Sequence, residues 1–109
     1  MKTYKTNTGT YAENELAIVV WRNPKTKNSR QSRFLETMTS ENSRLPMAFP
    51  LEALVRNKNW AQATKVSDKE ALYERISEAE RSTPLIVPLP VARDAFGWED
   101  FYIPTEYEI

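Results

Sequence analysis

From Leu16 to Trp21 the chain carries six apolar residues in succession, LAIVVW, three of them β-branched. A run of this length without polar alternation predicts a strand covered on both faces, and therefore a central one. Asn23-Pro24 stops it, because proline removes a ladder donor and restricts the residue before it. Further on, RFLETMT over residues 33–39 sets Phe34 and Met38 to one side with Glu36 between them. That pattern predicts a second strand pairing back on the first. Residues 22–33 then form the connection of a long hairpin.

Residues 40–50, SENSRLPMAFP, mix turn formers with prolines and predict an irregular, partly buried crossing segment. Pro50 suits a first helical turn, and Leu51, Leu54 and Val55 follow at helical spacing, predicting a short amphipathic helix over 50–58. WAQATKV, 60–66, carries a weak strand pattern. A better-marked helix runs from Asp68 to about Arg81, with Ser67 and Glu70 at capping-box spacing and Leu72, Ile76 and Ala79 as its apolar stripe. In PLIVPLP, 84–90, Pro88 cannot serve the middle of a sheet, which predicts an edge strand or an extended segment packed on the core. Pro90 opens a short helix, VARDAF, and Gly97 closes it. Strands and helices mix without strict alternation. The pattern predicts one α+β domain over residues 1–109, an antiparallel sheet with two or three short helices packed on it.

Composition narrows what such a domain does. Its 109 residues include 40% hydrophobic and 28% charged side chains, enough apolar material for one core. Cysteine is absent, which removes disulfides and thiolate chemistry and fits a reducing compartment. Histidine is absent too, and with it the side chain best suited to proton transfer near neutral pH. Only Gly9 and Gly97 offer glycine backbone, so no glycine-rich phosphate cradle exists. Nothing resembles a signal peptide or a membrane span, and the expected setting is the cytoplasm.

Charge changes the picture more. Fifteen basic residues balance fifteen acidic ones, so an electrostatic partner must be met by a local patch. The connection 22–33 carries Arg22, Lys25, Lys27, Arg30 and Arg33 with no acid, while residues 94–109 carry Asp94, Glu99, Asp100, Glu106 and Glu108 with no cation. Sorting of this kind points to docking with another macromolecule, with a plain solvated surface as the simpler explanation. The acidic tail, 98–109, also holds Trp98, Phe101, Tyr102, Ile103 and Tyr107. Such residues make interface anchors, or else complete the core of a small domain. The expected function is a small non-enzymatic interaction protein that binds another protein as an inhibitor or accessory subunit. Arg22, Lys25, Lys27, Arg30 and Arg33 supply electrostatic steering, and Trp98, Tyr102 and Tyr107 supply anchors.

Two further arrangements stay open. In the first, the basic hairpin grips nucleic acid between Trp21 and Phe34, or cleaves RNA without histidine through Arg22, Arg30, Glu36 and Arg44. The second is a homodimer in which the unlike segments of two copies meet. Glu70, Glu74 and Glu78 share one helical face, but opposite Leu72 and Ile76 they read as a solvated surface. No catalytic residue, metal or cofactor is assigned.

Overall fold

An apolar run with no polar alternation must find cover on both sides, and β3 (Leu16–Arg22) does. The computed structural model describes residues 3–6, 9–22, 35–39, 45–56, 60 and 62–103. Within them β3 pairs antiparallel with β4 (Leu35–Thr37) and with β5 (Phe49–Pro50), and along its other edge with β7 (Leu85–Pro88). The fifth strand of this sheet, β6 (Thr64–Lys65), lies parallel to β7 on the side away from β3. The sheet is therefore mixed, ordered β4-β3-β7-β6 with β5 beside β3. Strand pairing of β4 on β3 agrees with the expected hairpin, in the register Val20 to Thr37, Trp21 to Glu36 and Arg22 to Leu35.

Because strand side chains alternate, β3 divides its residues between two cores. Leu16, Ile18 and Val20 join Leu85 and Val87 of β7 on one face. Three helices and a hairpin account for most of the cover. On this first face, α2 (Lys69–Arg75) and the 3-10 turn Ile76–Glu78 bring Leu72 and Ile76, and α3 (Leu89–Phe96) brings Leu89 and Ala92. An antiparallel hairpin of β1 (Thr3–Thr6) and β2 (Gly9–Ala12), which the hydrophobic pattern did not announce, adds Tyr11. On the second face Ala17, Val19, Trp21 and Ile86 meet Phe49, Leu54 of α1 (Leu51–Arg56), and the half-buried Met38, Met47 and Trp60. No helix among the described residues is long and apolar enough to cross a membrane.

Several expectations need correction. PLIVPLP is no edge strand, since β7 has β3 on one side and β6 on the other. Its proline is tolerated because β6 spans only the partners of Leu85 and Ile86 and ends before Pro88. The second helix is shorter than the sequence pattern suggests. Its cap is Asp68, whose Oδ1 accepts the Ala71 N–H at 2.8 Å, in place of Ser67. The expected stripe nevertheless holds, as Leu72, Ile76 and Ala79 are all buried. In α1, Leu54 is buried but Val55 is 54% exposed. Among the described residues of 60–66, a strand forms only at Thr64–Lys65. The short helix at VARDAF begins one residue before Pro90, and Gly97 ends it in the left-handed region, φ 71°, with its N–H bonded to Arg93 O at 2.9 Å.

Candidate functional site

The outer edge of β4 borders a groove of about 690 Å³. Successive residues of a strand point to opposite faces, yet Leu35, Glu36 and Thr37 all line this groove. It therefore runs along the strand's edge. Leu45 and Pro46 contribute from the crossing segment, and Gly97, Trp98, Glu99 and Asp100 from the chain that leaves α3. Among the described residues β4 pairs with β3 alone, and the Thr39–Pro46 bridge engages the chain just beyond the strand.

Hydrogen bonds and ring contacts fix the apolar part of this lining. The Trp21 indole Nε1 donates to Glu36 Oε2 at 2.6 Å, across the strand pair that sets those residues opposite each other. The Arg81 guanidinium lies 5.9 Å from the same indole ring. Thr37 Oγ1 donates to Val19 O at 2.6 Å, tying the strand back to β3. On the opposite side Trp98 packs on the first core and sits 4.7 Å from Phe96, centroid to centroid. Around these apolar surfaces stand Glu36, Glu99 and Asp100, all exposed, and the described lining contains no lysine or arginine.

The segment carrying Trp98 is itself pinned at two points. Tyr102 N–H donates to Pro46 O and Ala48 N–H to Tyr102 O, both at 2.9 Å. Arg93 supplies the second. It forms an ion pair with Glu13, stacks 5.5 Å from the Phe101 ring, and donates through Nη2 to Glu99 O at 3.4 Å. Phe101 and Ile103 pack on the first core. The core-completing explanation for Trp98, Phe101 and Ile103 thus holds, and Trp98 presents a surface to the groove as well.

Of the expected contact residues, Trp98 lines the groove and Tyr102 is 40% exposed on the same segment. Arg22 closes β3 half-buried, opposite Leu35, with its Nε buried and unbonded among the described residues. Lys25, Lys27, Arg30, Arg33 and Tyr107 lie outside the described residues, as do Phe34 and Arg44. Glu36, named for an RNase, has a carboxylate oxygen taken by the Trp21 indole. The helical alignment of Glu70, Glu74 and Glu78 is broken, because α2 ends at Arg75 and Glu78 belongs to the following 3-10 turn. No cluster of metal-ligating side chains occurs among the described residues.

Sequence reasoning missed Leu35, Thr37, Leu45 and Pro46 as site residues. The expected hairpin carried no register, and a connection over 22–33 sets Trp21 against Phe34, whereas the structure pairs Trp21 with Glu36. Nothing in the sequence announced that the chain after α3 would come to the same place. No family model, no curated protein and no solved structure matches the chain.

Proposed function

We propose that this chain is a non-enzymatic interaction protein that docks a segment of another protein in the groove beside β4, acting as an inhibitor or accessory subunit. One observation supports the reading above others. An apolar surface built from Trp21, Leu35, Leu45 and Trp98 is edged by Glu36, Glu99 and Asp100 without a described cation among them. Apolar anchors within a polar, single-sign rim suit a partner that brings apolar and cationic side chains. A nucleic-acid backbone is disfavoured at this place, because three carboxylates repel phosphate.

The test is affinity capture from the native host with the intact chain, compared with two variants. One is Trp98→Ala; the other combines Glu36→Gln, Glu99→Gln and Asp100→Asn. Loss of the same captured protein from both, with both variants folded, supports the reading, and equal capture by all three overturns it. Salt-sensitive binding of labelled RNA or DNA would carry the nucleic-acid alternative instead. Sedimentation at rising salt tells whether the partner is a second copy.

A further inference from the structure

We infer that the groove takes its partner as an added β-strand: an extended peptide in which lysine or arginine alternates with apolar residues, hydrogen-bonded to the outer edge of β4. This rests on the reading just given and specifies the ligand's conformation and chemistry. Three observations support it. First, among the described residues β4 uses one edge, toward β3, while the other borders open space of about 690 Å³. Unpaired strand edges present N–H and C=O groups that a passing extended chain can satisfy. Second, the Thr39–Pro46 bridge lies beyond the strand and leaves Leu35, Glu36 and Thr37 along the groove.

The third observation concerns the two faces. Leu35 belongs to the first core, on which Trp98 also packs, whereas Glu36 stands on the second face beside Trp21. A strand laid against β4 would send alternate side chains to these faces. Those on the first meet Leu35 and Trp98 and are apolar. Those on the second meet Glu36 and are cationic, with Glu99 and Asp100 adding negative charge at the rim. Backbone pairing supplies affinity, and the alternation supplies selectivity.

A synthetic peptide of about ten residues alternating lysine with valine matches this pattern at extended spacing. It is titrated against the intact protein by tryptophan fluorescence, with hydrogen exchange read at the Leu35, Glu36 and Thr37 amides. Four comparison peptides are used: two N-methylated at alternate residues, one in each register, one of the same composition with its lysines in a block, and one with glutamate for lysine. The expected result is saturable binding of the alternating peptide with slower exchange at β4. N-methylation in one register weakens it by about tenfold or more, the blocked order weakens it, and the acidic peptide does not bind. If both N-methylated registers bind within about twofold of the parent, strand addition is overturned while groove docking survives. If Trp98→Ala and Glu36→Gln leave the alternating peptide's binding unchanged, the groove itself is wrong, and both readings go. Failure of the alternating peptide to bind overturns strand addition, leaving the capture experiment to judge the groove.

Discussion

β3 and the segment 97–103 each supply an indole to the groove, and they are held in opposite ways. Leu16 through Val20 are wholly buried, laddered to neighbours on both edges. The segment forms no regular element, and its only described backbone pairing is the bridge of Tyr102 with Met47. Complete burial secures the first, while the second relies on partial burial of Trp98, Phe101 and Ile103 together with a few directional bonds and an ion pair. Trp21 is therefore a fixed floor and Trp98 a wall that can be loosened separately. An interaction surface gains from that division, because a partly buried wall outside the sheet adjusts to a ligand at smaller cost to the fold than a central strand does.

Breaking the floor has the largest expected effect. Ile18→Ala removes a fully buried side chain between β7 and the helical layer, and should cost about 2–5 kcal/mol in urea unfolding. Releasing the wall comes next. Arg93→Gln leaves the Glu13 carboxylate, 13% exposed, without its cation and removes the contacts to Phe101 and Glu99. A loss of about 2 kcal/mol is expected, below the range for fully buried pairs because Arg93 itself is 27% exposed. In the same variant the emission of Trp98 should shift to longer wavelength while Trp21 keeps its surroundings, which single-tryptophan backgrounds would read.

Smaller changes sharpen the contrast. Gly97 turns the chain out of α3 at positive φ with open space around its α-carbon, so Gly97→Ala meets only backbone strain. It should cost about 1 kcal/mol, measured by thermal unfolding. Tyr102 is held through its backbone and exposes its ring, so Tyr102→Ala should change stability by less than about 0.5 kcal/mol. A larger loss would mean that the wall depends on the Tyr102 ring and is held, like β3, chiefly by side-chain burial.

Much of the frame was legible because its signals are local. The unbroken run of β3 required cover on both faces, Leu72 and Ile76 declared a helical stripe, and Gly97 declared a helix end. Local signals also misled where neighbours decided the outcome. Pro88 looked like an edge residue, but a proline is acceptable inside a sheet when the strand beyond it stops short, as β6 does. Ser67 had capping-box spacing, yet Asp68 takes the cap one residue later. Of the site, Trp98 and the acids of the tail were visible as candidates. Leu35 and Thr37 were not, since a three-residue strand carries too little alternation to show which of its edges stays open.

By itself, then, the sequence determined the α+β class, the place of β3 at the centre and the sorting of charge, because each follows from residue type and spacing along the chain. Only the tertiary structure decided that Glu99, Asp100 and Trp98 stand beside Glu36 and Trp21, some sixty residues earlier or more. That meeting depends on Tyr102 pairing with residues 46–48 and on Arg93 reaching Glu13, contacts between distant segments whose free energy no local pattern records.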